Sequence, residues 1–202
     1  MCSHVRSFLD RRPAPRSSAK AVHQLLPRLA WGDAVGNQVR YLRTLLRSWG
    51  YASEIYAAQW DDSCSTWVRP AESLPGEMDH ASALLVHHSF ESRLVPLIER
   101  TPGRKALLYH NITPAPLFQG FERKVAAACE AGREELWALR PQFERAYAFS
   151  RFSAEELAAG GYPPATVLPF AIDWSAFDAA PDPALRAQLE DGSFNVLFVG
   201  RV

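Results

Sequence analysis

Strand-like apolar runs alternate along this chain with segments of helical periodicity, and that alternation restricts its fold more than any other feature. Runs at residues 21–26, 53–57, 83–87, 105–109, 145–149 and 166–168 read as strands. The stretch Ala83-Leu84-Leu85-Val86-His87 is continuously apolar up to its last residue, as expected of a strand covered on both faces. Between the first two runs, Val35, Val39, Leu42, Leu45, Leu46 and Trp49 recur at steps that place them on one helix face, and Gly50 supplies a stop. Residues 121–139, rich in Ala, Glu and Arg, read as a second long helix ended by Pro141. Residues 89–100 read as a short helix limited by Pro96, and 182–189 as another. Ser153 and Glu156 have the spacing of a capping box for a helix closed by Gly160-Gly161. Residues 61–79 are polar and irregular and read as an exposed excursion. Strand and helix in alternation imply an α/β, Rossmann-like fold: a mostly parallel sheet with helices on both faces.

The 202 residues suffice for one domain with tails. Residues 1–20, rich in Arg, Ser and Pro without an apolar centre, read as a disordered tail and not as a secretory signal. Residues 21–190 read as the Rossmann-like domain. Residues 191–202 carry one more strand signal at 194–199, which nothing in the preceding sequence would cover, so further polypeptide is expected beyond it. Basic and acidic residues balance at 22 each, which argues against nucleic acid as a partner. The cysteines, Cys2, Cys64 and Cys129, are odd in number and lie far apart, a pattern that suits a reduced, cytoplasmic chain. No apolar run reaches the roughly 18–20 residues of a membrane span.

In open parallel sheets, ligands bind beyond the carboxyl ends of the strands. Three segments fall there. Gly32-Asp33-Ala34-Val35-Gly36-Asn37 follows the first strand. Its glycines permit close approach of a ligand to the backbone, and the helix N-terminus it leads into attracts phosphate; the other reading is a tight turn. It is neither GxGxxG nor a P-loop, which disfavours a nucleotide-dependent oxidoreductase. Tyr109-His110-Asn111 ends the run at 105–109, and His110 either bonds a substrate hydroxyl or phosphate or is a satisfied structural histidine. His87 and His88 border the same cleft, but the three histidines fit no standard zinc spacing, and no metal is expected. Ser150 follows the run at 145–149 and, with Ser153 used as a cap, is a further cleft residue. Arg40, Arg43 and Arg47 share the polar face of the first helix, which reads as a solvated face or as a surface for anionic lipid.

Several stretches together resemble glycosyltransferase family 4. They are His23-Gln24-Leu25-Leu26-Pro27 with Gly32 to Asn37; Gly50-Tyr51-Ala52-Ser53-Glu54-Ile55-Tyr56; Leu107-Leu108-Tyr109-His110-Asn111-Ile112-Thr113-Pro114; Val167-Leu168-Pro169 with Ile172-Asp173 and Phe177; and Val196-Leu197-Phe198-Val199-Gly200-Arg201-Val202. The resemblance covers residues 22–202. It implies the N-terminal, acceptor-side half of a GT-B fold and a hexosyltransferase-type enzyme of cell-surface polysaccharide biosynthesis. The implied reaction passes a sugar, with retention, from a nucleotide-sugar donor to a saccharide or lipid-linked acceptor, without an essential metal or other cofactor. The implied location is the cytoplasm, with peripheral contact at the inner face of the membrane. Carried over by motif, His110 bonds the transferred sugar; Gly32, Asp33, Gly36 and Asn37 form the loop facing donor and acceptor; and Arg201 begins a cationic pair for the leaving diphosphate. The lysine of that pair and the acidic donor-gripping motif have no counterpart in this sequence, so the chain alone is expected to be inactive. The alternative expectation is a non-catalytic partner domain that pairs with a separately encoded donor-binding half.

Overall fold

The computed structural model describes residues 21–172 and 178–198. Its strands are β1 (Val22–Leu29), β2 (Ile55–Trp60), β3 (Val68–Pro70), β4 (Ala83–His88), β5 (Arg104–Tyr109), β6 (Arg145–Ala148) and β7 (Thr166–Val167). They form one sheet in the order β3-β2-β1-β4-β5-β6-β7. Every pairing in it is parallel. The α-helices are α1 (Ala34–Ser48), α2 (Leu74–Glu77), α3 (Val95–Arg100), α4 (Arg123–Leu139), α5 (Arg151–Ala159) and α6 (Pro183–Leu189). The α/β, Rossmann-like reading of the sequence therefore holds.

Side chains alternate across a strand, and the core divides accordingly. On one face Leu26, Leu29, Ile55 and Ala57 pack with Val39 of α1. On the other, Leu25, Tyr56, Leu84, Val86, Leu107 and Tyr109 pack with residues of α3, α4 and α5, among them Ile98, Leu136 and Leu157. Helices thus cover both faces. The order reverses direction between β1 and β4, since β1 leads outward to β2 and β3 and the chain then returns to β4. Crevices at such switch points are where open α/β sheets bind ligands.

The first strand outlasts its sequence signal, running through Pro27 to Leu29 rather than stopping at Leu26. Pairing with β4 ends at Leu25, whereas pairing with β2 continues at Arg28 and Leu29. The proline, which has no N–H to give, lies past the last β4 pair. Helix α1 starts at Asp33, whose carboxylate accepts from Gly36 N. Gly50, at φ +90°, turns the chain out of that helix. Trp49 caps the helix and is exposed instead of joining the apolar stripe.

The stretch 61–79 is mostly exposed, as its polarity suggested, but it is not irregular throughout. It holds β3, which extends the sheet, and it buries Cys64, Ala71, Leu74 and Met78. Its polar residues serve the packing: Glu77 accepts from Tyr56 Oη at 2.8 Å and from Arg69. The helix expected over 89–100 is confined to Val95–Arg100, and Pro96 stands in its first turn, where a missing N–H costs nothing. The capping box at Ser153 is likewise corrected. Ser150 is the cap, accepting from Ser153 N at 3.1 Å, and Ser153 is buried inside the helix. Glu156 turns instead to Tyr109 and Arg133.

The chain divides after Ala171. The second unit contains α6, capped by Asp182. A strand was expected over 194–199, but its described part, 194–198, forms none. No described strand lies in that unit to pair with it. The early tail 1–20, Cys2, Asp173, Phe177, Val199, Gly200, Arg201 and Val202 lie outside the described residues.

Gly36 gives a direct test of how α1 meets the sheet. A Cβ there would stand 2.3 Å from the carbonyl oxygen of Ala30. Because the obstacle is backbone, it cannot rotate away. Gly36→Ala should cost about 1–3 kcal/mol, lowering Tm by roughly 2–4 °C per kcal/mol; urea and thermal unfolding at matched pH would show it. A variant as stable as the parent would contradict this packing.

Candidate functional site

Gln24 is a fully buried polar residue in the middle of β1. Its amide nitrogen donates to Val39 O of α1 at 2.9 Å, which leaves its oxygen facing His87 Nε2 at 3.1 Å. An amide oxygen only accepts, so His87 carries its proton on Nε2. His87 Nδ1 is then the bare nitrogen and accepts from His110 Nε2–H at 2.8 Å. His110 Nδ1 is left as a lone pair. It is buried and has no hydrogen-bond partner among the described residues. A chain of neutral groups thus runs from α1 through β1 and β4 to a single free acceptor at the end of β5, beside the switch point.

Burial keeps both rings neutral. It pushes His110 from the usual histidine range down to about 3, with His88 adding a smaller repulsion. It holds His87 well below the usual range, with His110 as the second cause. Aromatic rings account for much of that dry surrounding. His110 lies 4.4 Å from the ring of Phe149 and 5.8 Å from that of Phe170, centroid to centroid. The segment carrying Phe170 is fastened at both ends: Leu168 N donates to Ala148 O, and Ala171 N to Gln38 Oε1, each at 2.8 Å. Residues 168–171 therefore strap the carboxyl ends of β5 and β6 toward α1.

The loop bearing His110 is held from the opposite face of the sheet. Tyr109 Oη donates to Glu156 Oε2 at 2.5 Å and accepts from Ile112 N at 3.1 Å. Arg133 bridges Glu156 Oε1 and Ile112 O, both at 2.7 Å. Asn111 adopts φ +68° within this loop, a conformation asparagine tolerates better than most residues.

The other residues singled out in the sequence distribute as follows. Asp33 is the α1 cap, and Gly36 packs against the end of β1. Gly32 takes φ +76° with open space around it. Asn37 accepts from Arg40 Nη2 at 3.1 Å. His88 points to the face opposite His87, donating to Gly132 O at 2.7 Å. The three histidines therefore share no common centre, and among the described residues no cluster of His, Cys, Asp or Glu is arranged to hold a metal ion. Ser150, read as a cleft residue, is committed to its helix. Arg43 and Arg47 both pair with Glu54, at 3.0 and 2.7 Å. Arg40 instead stacks between the rings of Trp31 and Trp67, 4.2 and 4.8 Å from their centroids. The basic face of α1 is thus largely engaged within the protein. Among the described residues no helix is long and apolar enough to cross a membrane.

Sequence reasoning named His87 and His110 but missed Gln24, Gln38, Phe149 and Phe170. Gln24 had a signal: it is a polar residue at an inward position of a strand flanked by Leu25 and Leu26. Gln38 and Phe170 had none, because their roles depend on a strap that joins residues more than a hundred positions apart. No protein-family model matches the chain, and no curated protein matches it.

Two measurements check this chain of groups. Ring ¹⁵N spectra at pH 7 should show both His87 and His110 protonated at Nε2 only; an imidazolium or an Nδ1–H signal from His110 would refute the arrangement. The second concerns pH. The folded-state affinity of His110 for a proton is depressed, so its contribution to stability is complete above the ordinary histidine range near 6.5. It is lost as pH falls from there toward about 3, because the unfolded chain takes up the proton first. Each histidine held neutral should steepen the fall by up to about 1.4 kcal/mol per pH unit. His110→Phe should flatten the dependence between pH 6 and 4, and an unchanged slope would count against the depressed value.

Proposed function

We propose that this chain is the acceptor-side domain of a family 4-like, GT-B glycosyltransferase. It serves transfer of a sugar, with retention, from a nucleotide-sugar donor to a saccharide or lipid-linked acceptor. In that reaction the bond between the anomeric carbon and the donor diphosphate breaks. A bond to the acceptor oxygen forms, the acceptor hydroxyl loses its proton, and a nucleoside diphosphate leaves. The observation that carries the reading is His110 Nδ1, a buried, neutral, unpartnered acceptor at the carboxyl end of a parallel strand. It is supported by the parallel fold and by the order of motifs in the sequence.

A histidine kept neutral down to about 3 is too weakly basic to serve as a general base near neutral pH. Its role is to accept a hydrogen bond from a sugar hydroxyl and fix the ring as charge develops at the anomeric carbon. The leaving diphosphate needs fixed cations. The resemblance assigns the first of these to Arg201, outside the described residues. The proposed location is the cytoplasm with peripheral contact at the membrane. The engagement of Arg43 and Arg47 with Glu54 leaves that contact to other surfaces than the basic face of α1.

The second reading is a non-catalytic domain that pairs with a separately encoded donor-binding half. It is favoured by one observation: Phe194, Val196, Leu197 and Phe198 are 94, 85, 86 and 81 % exposed. Side chains of that kind gain about 25 cal/mol per Å² of apolar surface when covered.

The deciding experiment incubates the protein with a panel of UDP- and GDP-sugars and saccharide or polyprenyl-phosphate acceptors, and follows nucleoside diphosphate release together with glycosylated product. Alone, the chain should bind these donors more weakly than about 1 mM, or roughly 4 kcal/mol. Turnover that appears only with a separately expressed donor-binding domain favours the second reading. In whichever assembly is active, His110→Phe keeps the aromatic stack and removes the acceptor nitrogen. Turnover should fall about 10²–10³-fold, with Tm lowered as well because His87 loses its donor, at a cost of about 1–3 kcal/mol. Undiminished turnover in this variant would sink the proposed role of His110.

A further inference from the structure

Gln38 lies in the first turns of α1 and is 1 % exposed. Its oxygen is taken by the Ala171 N–H at 2.8 Å, which turns its NH₂ group the other way. That nitrogen is buried and has no partner among the described residues. The described residues leave the Gln38 amide donor and the His110 Nδ1 acceptor, both buried, unanswered. One strap touches both residues. Phe170 packs its ring on His110, and the next residue, Ala171, bonds Gln38. An unpaired buried polar group costs about 1–3 kcal/mol, and folds retain such costs where a ligand repays them.

We infer that Gln38 is a second ligand-binding residue, which donates to the oxygen of a neutral, hydroxyl-bearing ligand whose O–H is accepted by His110 Nδ1. This rests on the transferase reading and deepens it, because it assigns the crevice to the sugar and not to phosphate. A hydroxyl can both give and take a hydrogen bond, which matches one donor and one acceptor. A phosphate oxygen would face the bare lone pair of a neutral histidine and be repelled. No described carboxylate or cationic side chain bonds Gln24, His87, His110 or Gln38 in this chain of contacts.

The test uses side-chain NMR on the full chain, with glucose, galactose, mannose and N-acetylglucosamine as probes and inorganic phosphate as the contrast. At least one sugar should move the Gln38 NH₂ and His110 Nδ1 resonances together along a single binding curve, and phosphate should move neither. Gln38→Glu, studied at pH 8 so that the carboxyl is ionised, keeps an oxygen for Ala171 N–H but has no N–H of its own. It should weaken sugar binding at least about tenfold while the Ala171 amide stays protected from exchange. If that protection is lost, Ala171→Pro decides, since it removes the strap bond and leaves Gln38 intact: unchanged sugar binding there supports the donor role, and a tenfold loss overturns it. The inference is also overturned if no sugar moves both resonances, if phosphate moves them, or if Gln38→Glu binds as tightly as the parent. Sugar transfer by the active assembly with an unchanged KM in Gln38→Glu removes this site and leaves the transferase reading standing. Sugar-induced shifts together with no transfer in any assembly with a donor-binding domain do the opposite.

Discussion

The hydrogen bond from Gln24 to the carbonyl of Val39 orders everything around the crevice. It fixes which way one buried amide points. That orientation dictates the tautomer of His87, and His87 dictates the tautomer of His110. The arrangement works because β1 and β4 are neighbours, so that a glutamine on one and a histidine on the other meet on the same face. It also depends on α1 crossing that face closely enough to offer a backbone carbonyl, and the close crossing needs Gly36 against Ala30. Burial does the rest. In a dry environment an unpaired charge is expensive, so the rings remain neutral and the direction of every bond in the chain is defined.

A lone pair is useful to a ligand only if it does not wander. On one side His110 is held by His87 and by the rings of Phe149 and Phe170. On the other, the Tyr109–Glu156–Arg133 network pins the loop immediately after it. Glu156 is the joint between the two halves of this support, since it draws α5 to the end of β5 and pairs with Arg133 from α4. The ion pair, 20 and 27 % exposed at its two side chains, is shielded enough to matter for position. Its value lies in holding Ile112 and Tyr109 in place.

Much of the scaffold was legible in the sequence, and for a physical reason. Parallel strands covered on both faces must be apolar throughout, so runs such as 83–87 and 105–109 announced themselves, and with them the alternation that defines the fold. Proline signals depend on position that the sequence does not show: Pro27 sits past the last β4 pair and Pro96 in a helix's first turn. In the run 61–79 the strand and its anchors were hidden, because exposed polar residues surround buried Cys64, Leu74 and Met78. The described run 194–198 forms no strand, because an apolar stretch becomes one only when another strand offers it hydrogen bonds, and no described strand in its unit does. His110 was legible as a strand-end histidine, whereas its free nitrogen was not. Tautomers come from partners in space, and those partners sit 23 and 86 positions away.

The two ends of α1 and its flanks divide the chemistry that this domain can offer. The N-terminal amide that would attract an anion, Gly36 N, already belongs to the carboxylate of Asp33. That carboxylate also places negative charge where an approaching phosphate would have to come. The Cβ-less surface of Gly36 faces Ala30 and not open space. Of the two glycines in the loop Gly32–Asn37, Gly32, with open surroundings and a left-handed backbone, leaves room for a ligand to pass close. One turn further on, Gln38 presents a neutral amide toward the strap instead. A donor has two parts that ask for different surroundings, a dianionic diphosphate that needs cations and a neutral sugar that needs oriented dipoles. The described residues in this chain of contacts supply the second kind of environment, with neutral histidines, a primary amide and aromatic faces, and none of them is a cation of the first. The proposed reaction therefore assigns this domain the sugar ring, and assigns the charge of the leaving group to residues beyond the crevice.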